Sequence, residues 1–241
     1  MNDGDIKMKA GFIGLGALGK TIAKRLISEG VELSVWNRTK ERSQGLDAKW
    51  AENPAELVSE TNIVFICLFD SNAVTDIAGS ENGLLSGDLK GKIIIDITTN
   101  HFEPVLLFHE MFLAKGAFYI EAPVLGSVVP ASQGKLTVLT VGEKSAYDIA
   151  LPFIQKIGST IFYLGKPGLP TKMKLINNLC LGSFMATLAE CTALAESCEI
   201  PKAKALEILG VGGGQSLVLK AKTQKLIDED FSAHFSNNAI T

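Results

Sequence analysis

The chain has 241 residues, 46% of them apolar, and a formal net charge of -3. That length holds one large or two modest domains with real cores, and the weak acidity leaves no footprint for nucleic acid or an anionic membrane surface. Cys67, Cys180, Cys191 and Cys198 show no C-x-x-C pairing and no metal spacing with His101, His109 or His234, which argues against a disulfide framework or a metal site and predicts reduced core thiols and structural or surface histidines.

An apolar run at 10–13 enters Gly14, Gly16 and Gly19, and a helical period follows, with Ile22, Ala23, Leu26 and Ile27 on one face. A second strand is predicted at 33–36. In this strand–turn–helix–strand context Gly14 makes the tight turn, Gly16 lets backbone approach a pyrophosphate, and Gly19 lets helix pack on strand. Gly14, Leu15, Gly16, Ala17, Leu18 and Gly19 are therefore the expected dinucleotide cradle, helped by the helix N-terminus. The second strand ends in Asn37, Arg38 and Thr39, where an NAD-selective site usually places a carboxylate. Asn37 removes the repulsion of a 2'-phosphate and Arg38 offers a charged planar fork, so NADP(H) is expected over NAD(H).

A short surface helix is expected in the polar run to Lys49, a brief strand at 48–50, and a helix at 54–58 capped by Asn53. Continuous apolar runs at 63–68 and 92–97 read as strands covered on both faces. Their C-terminal ends should line the cofactor crevice: Cys67, Leu68 and Phe69, with Ser71 as a helix cap, and then Thr98 and Thr99. A helix at 104–115 closed by Gly116, strands at 118–121, 136–141 and 160–164, and a helix at 145–157 complete the alternation. Residues 1–165 are thus expected to form an α/β, Rossmann-type, doubly wound, mainly parallel sheet.

Gly165, Lys166, Pro167, Gly168 and Pro170 mark a change of character. One long helix is predicted over 171–199, a second from Pro201, a break at Val211 to Gly214 and a third helix at 217–227. Residues 166–241 are expected to be a smaller all-α domain. A long apolar helix in so small a domain predicts a covering subunit, hence a homodimer or homotetramer. No stretch reaches the ~18 uninterrupted apolar residues of a bilayer span, and a soluble cytoplasmic protein with no membrane partner is expected.

Four segments in order resemble the β-hydroxyacid dehydrogenases, relatives of 3-hydroxyisobutyrate dehydrogenase: the glycine turn from Gly11 to Gly19; Glu121-Ala-Pro-Val-Leu-Gly-Ser127; Gly165 to Gly168; and Lys174-Leu-Ile-Asn-Asn178. The Asn37-Arg38-Thr39 and 172–190 stretches look most like the glyoxylate/succinic semialdehyde reductase branch. The resemblance implies a hydride transfer between nicotinamide and a small carboxylate-bearing carbonyl or hydroxy acid, with Lys174 as acid/base. Asn178, one helical turn on, would hold that lysine or the substrate hydroxyl, and Asn177 is a substrate-side candidate. The loop with Leu125, Gly126 and Ser127 would take the substrate carboxylate.

Two departures stand out. The family usually has Ser where this chain has Leu125; either Ser127 supplies the missing donor, or the substrate is larger or less polar, or activity is weakened. The sequence also stops at Thr241, where relatives continue with a Lys-Asp pair and further helices, so the helical domain is expected to be incomplete. Two alternatives remain open: an imine reductase, against which the retained Lys174 argues, and a non-catalytic NADP-binding module.

Overall fold

The computed structural model describes residues 9–230 and 232, so the expectation for His234 lies outside the described residues. The chain divides into two compact units, Met1–Lys174 and Leu175–Thr241, a later division than the expected one after residue 165.

In the first unit the short apolar runs become β1 (Lys9–Ile13), β2 (Glu32–Trp36), β3 (Lys49–Trp50), β4 (Ile63–Ile66), β5 (Ile93–Asp96) and β6 (Phe118–Glu121). All pair in parallel, in the order β3-β2-β1-β4-β5-β6. The connections are α1 (Ala17–Ser28), α2 (Pro54–Glu60), α3 (Ser71–Gly79) and α4 (Phe102–Ala114). β4 and β5 are buried at every residue, as continuous apolar strands must be when both sheet faces are covered. Neighbouring Phe12 and Ile13 of β1 fall in different cores, the first with Ile22, Leu26 and Phe65, the second with Leu57, Ile66 and Phe112. The strand period of two thus feeds both layers. Strand order reverses between β1 and β4, and a crevice outside the carboxyl ends of a sheet opens at such a point.

The strands after β6 leave this sheet, which corrects the expectation of one continuous array. Pro123 cannot donate to a ladder, so the chain departs after Glu121. β7 (Val124–Leu125), β8 (Leu136–Thr140) and β9 (Gly158–Tyr163) form a separate sheet, with α5 (Val128–Ser132) and α6 (Lys144–Ile157) between them. β7 is antiparallel to β8, and β8 is parallel to β9. An isolated antiparallel bridge joins Glu121 to Val141.

Three local expectations meet different outcomes. Asn53 caps α2 as expected, accepting from the Glu56 N–H with Pro54 in the first turn. The expected surface helix after Arg38 is only a 3₁₀ turn at Lys40–Ser43: the run has no apolar stripe to bury, and Gly45 turns it at φ 76°. α3 is capped by Asp70, not Ser71, its carboxylate accepting from the Ala73 N–H at 2.8 Å.

α7 (Leu169–Ser197) starts in the first unit and runs on into the second, followed by α8 (Lys202–Val211) and α9 (Leu217–Ile227). Leu188, Leu206, Val218 and Leu219 form the second unit's own small core. Among the described residues α7 is the one helix long and apolar enough, by length and composition, to cross a membrane. Its first turns nonetheless carry Lys172, Lys174, Asn177 and Asn178. Cys180 on α7 and Cys198 just past its end are exposed, which corrects the expectation of core thiols: on a helix apolar nearly all round composition does not say that Cys180 turns outward, and Cys198 falls in the turn that closes the helix.

The closest backbone approach gives a stability test. A Cβ on Gly19 would lie 2.1 Å from the carbonyl oxygen of Gly14, and backbone has no room to yield there. Gly19→Ala is expected to lower unfolding free energy by about 1–3 kcal/mol, read from urea denaturation.

Candidate active site

The turn after β1 separates the work of its glycines. Gly14 sits at φ 96°, and a Cβ there would strike the Cys67 carbonyl oxygen at 2.2 Å, so β1 and β4 meet at this point only without a side chain. Gly16 is different: a Cβ there would meet no atom within 4 Å. It is the N-cap of α1, which has no side-chain cap bond and no acidic residue in its first turn. An uncapped helix start beside open space is the fit that a dinucleotide phosphate requires. Ala17 and Leu18 begin that helix.

Asn37 has a role beyond the missing carboxylate. Its Oδ1 accepts from the Leu15 N–H at 2.8 Å, and its Nδ2 donates to the Thr39 carbonyl at 2.9 Å. One side chain thereby fixes both the glycine turn and the end of β2. Arg38 and Thr39 are exposed just beyond it.

The ends of β4 and β5 are laced together. The Leu68 N–H donates to Thr98 Oγ1 at 3.0 Å, the Ser71 hydroxyl donates to Asn100 Oδ1 at 3.0 Å, and the His101 N–H donates to Ser71 Oγ at 2.9 Å. Below them lies Asp96, 1% exposed, whose carboxylate accepts from the Thr98 N–H, the Asn100 amide and the Tyr119 hydroxyl at 2.8, 2.8 and 2.6 Å. Burial pushes the Asp96 carboxyl up from its ordinary value, against hydrogen bonds that lower it, and pushes the Tyr119 phenol well up. Thr99 is half-buried beside this network, and Phe69 is exposed at the rim.

Past β6, Leu125 is half-buried and pairs with Thr137, while Gly126 and Ser127 are exposed. Gly126 turns the chain at φ 126°, where a Cβ would lie 2.8 Å from Leu136 Cδ2. Lys174 is buried, and its Nζ donates to the Val124 carbonyl at 2.8 Å. Burial lowers its pKa from 10.5 to about 8. One turn further along α7, Asn178 is buried and Asn177 half-buried.

Of the expected cofactor residues, Leu15 is therefore tied to Asn37 across β1 and β2, Leu68 to Thr98 across β4 and β5, and Gly14 lies against the Cys67 backbone between them, while Lys174 is tied to the start of the Val124–Leu125 strand. Sequence reasoning passed over Asp96 and Glu121. Both had a signal: a carboxylate closing a continuous apolar strand must find donors inside the protein.

Fold and glycine turn together define a dinucleotide-binding protein whose nucleotide sheet is followed by a helical unit. Residues 9–165 match the family described as the NAD binding domain of 6-phosphogluconate dehydrogenase. Residues 168–241, α7 included, match the NAD-binding region of NADP-dependent 3-hydroxyisobutyrate dehydrogenase. The chain belongs to the 3-hydroxyisobutyrate dehydrogenase family of NAD(P)-binding oxidoreductases, as its four motifs led us to expect. It is 33% identical over 228 residues to glyoxylate/succinic semialdehyde reductase 2, chloroplastic, of Arabidopsis thaliana, which covers 93% of this chain and 64% of the relative. It is 35% identical over 227 residues to the cytokine-like nuclear factor N-PAC of Mus musculus, covering 94% of this chain and 41% of that one. The chain thus spans less than two thirds of either relative. Among solved structures, Psf3 in complex with NADP+ and 2-OPP superposes with a TM-score of 0.86 at 28% identity, covering 91% of this chain and 79% of Psf3.

The open space at Gly16 sets a test that separates binding from folding. Gly16→Ala is expected to leave the melting temperature unchanged and to weaken NADPH binding by roughly tenfold or more, since a methyl group would occupy phosphate space. Fluorescence titration with NADPH checks it.

Proposed function

We propose that the chain is a reductase/dehydrogenase that uses NADP(H) in preference to NAD(H) on a small carbonyl or hydroxy acid carrying a carboxylate, with Lys174 as the general acid/base. The observation that carries this reading is the burial of Lys174 against the Val124 carbonyl, with its pKa brought down to about 8. A lysine so tuned holds its proton at neutral pH yet releases it far more readily than a solvated one.

Bound in the glycine turn, a reduced nicotinamide dinucleotide supplies a hydride to the carbonyl carbon. Lys174 passes the ammonium proton to the oxygen as the carbonyl π pair collapses onto it, leaving a neutral amine and a hydroxy acid. Asn178, buried one turn along the same helix face, is proposed to hold the lysine or the hydroxyl, with Asn177 on the substrate side. Gly126 and Ser127 are proposed to take the substrate carboxylate. Ser127 makes no side-chain cap to α5, which supports the view that its hydroxyl replaces the donor lost at Leu125. Leu125 presents apolar bulk instead, which favours a substrate with some hydrocarbon between its two functional groups. Glyoxylate and succinic semialdehyde, in the name of one relative, set the class to try first.

Asn37 and the exposed Arg38 support the cofactor preference, since no carboxylate faces a 2'-phosphate there. Exposed Leu179, Phe184 and Leu194 on α7 support assembly as a homodimer or homotetramer. A cytoplasmic setting is also part of the proposal, although the named relatives include a chloroplastic enzyme and a nuclear factor. That nuclear factor, with Leu125, favours the second reading, a dinucleotide-binding module without turnover; NADPH binding with no carbonyl reduced across a panel of aldehyde acids would establish it.

Lys174→Ala is expected to slow reduction by about 100- to 10,000-fold. In the unmodified protein the reduction rate should fall above pH 8 as the ammonium is lost, while hydroxy-acid oxidation should rise through the same range. Stopped-flow rates at 340 nm in both directions check the sign. For the cofactor, Arg38→Ala should cut the NADPH/NADH ratio of kcat/KM by about tenfold. Asn37→Asp, which keeps an acceptor for the Leu15 N–H but adds charge, should lower it further; steady-state kinetics with both nucleotides measure this.

A further inference from the structure

One buried carboxylate has no part in the reaction as described. Glu121 ends β6 and is 1% exposed, and donors meet both of its oxygens. Oε1 accepts from the Gly168 N–H and lies 2.9 Å from His109 Nε2. Oε2 accepts from the Thr171 hydroxyl at 2.7 Å and from the Thr171 N–H at 3.3 Å.

Gly168 immediately precedes α7, and Thr171 lies in its first turn. N–H groups at a helix start have no acceptor within the helix, and the positive end of the helix favours a carboxylate there. Three residues on from Glu121, the Val124 carbonyl accepts from Lys174, which itself stands three residues after Thr171 on the same helix face. The stretch 121–124 therefore grips α7 twice, by a carboxylate at the first turn and by a carbonyl at the next, and the second grip is on the ammonium itself.

We propose that Glu121 is the positioning residue for Lys174: its carboxylate pins the first turn of α7 to the end of β6 and so fixes the height and rotation at which the ammonium reaches the substrate. This rests on Lys174 being the acid/base. An ionised carboxylate accepts on both oxygens, whereas a glutamine must turn an NH2 group toward one pair of these donors, and a backbone N–H lies on each side. Charge and shape are therefore both required. Asp96, the register neighbour of Glu121 on β5, is already engaged by Thr98, Asn100 and Tyr119 and provides no substitute.

The test compares the full chain with Glu121→Gln, Thr171→Val, Lys174→Ala and the Glu121→Gln/Lys174→Ala double variant, after melting curves have established that each is folded. Glu121→Gln is expected to lower kcat for carbonyl reduction about 10- to 100-fold, with NADPH binding unchanged because the glycine turn lies on other strands. The double variant should be no slower than Lys174→Ala alone, since Glu121 acts through the lysine. A readout without turnover follows Lys174 by amine-selective labelling and peptide mass spectrometry: in the unmodified protein labelling should rise through about pH 8, and in Glu121→Gln the midpoint should move up toward 10.5. Thr171→Val should move both quantities the same way by less.

A folded Glu121→Gln with unchanged kcat and labelling midpoint, or a double variant whose losses add, overturns the proposal. Were Glu121→Gln to unfold, a folded Thr171→Val with both readouts unchanged would overturn it equally. Full rate in Lys174→Ala would instead remove the acid/base reading on which the proposal stands.

Discussion

Two adjacent buried strands each end in a carboxylate, and the need to supply those carboxylates with donors organises the rest of the first unit. Asp96 and Glu121 are register partners on β5 and β6. Leaving either without partners inside an apolar sheet would cost several kcal/mol, a large fraction of a domain's stability. The chain meets the requirement for Asp96 with donors from the loop after β5 and from Tyr119, and for Glu121 with donors that stand far along the chain. Asp96 gathers Thr98 and Asn100, and through Thr98 and Ser71 the β4 and β5 loops become one body. Glu121 gathers the start of α7. A demand created by burial thus sets the geometry of both proposed halves of the site, the cofactor side through Asp96 and the lysine side through Glu121.

The glycine turn obeys a complementary logic. Gly14 and Gly19 lack side chains because neighbouring backbone occupies the space, and Gly16 lacks one although no protein atom does. Folding requirements account for the first two and leave the third unexplained, so Gly16 carries the argument for a ligand. Asn37 belongs to both accounts, since its amide closes the loop and its neutrality is what the proposed preference for NADP(H) rests on.

These distinctions mark how far the sequence was legible. Period and punctuation sufficed for the strand–turn–helix units, because continuous apolar runs such as the one at 63–68 have few other ways to be satisfied. The all-α region read well where proline and glycine bound it, at Pro201 and Gly212. What stayed hidden depended on partners far along the chain. Nothing local to 136–164 says that those strands make a separate sheet; that follows from Pro123 ending the pairing after Glu121. The cap of α3 is ambiguous in the sequence, because Asp70 and Ser71 are both good caps, and the bonds of Ser71 to Asn100 and His101 leave the capping to Asp70. For the lysine, the family motif singles out the residue as a candidate, but its grip on the Val124 carbonyl depends on a strand far back along the chain.

That burial bears on what Lys174 is for. With its pKa lowered from 10.5 to about 8, the unfolded chain binds more protons than the folded one between those values, so stability from this residue rises with pH across that window and is lowest below it. At neutral pH the fold therefore carries a cost for keeping the ammonium dry. A lysine retained for structure would offset that cost with a carboxylate, and Glu121 stands only three residues from the carbonyl that Lys174 uses. Yet Glu121 is turned to Gly168 and Thr171, and burial alone accounts for the lowered pKa of the lysine. Pairing the two would raise that pKa and hold the proton in place, which suits a structural ion pair and defeats an acid that must let its proton go. On the proposed acid/base reading, separating the carboxylate from the ammonium while using it to fix the helix that bears the ammonium reconciles the two demands.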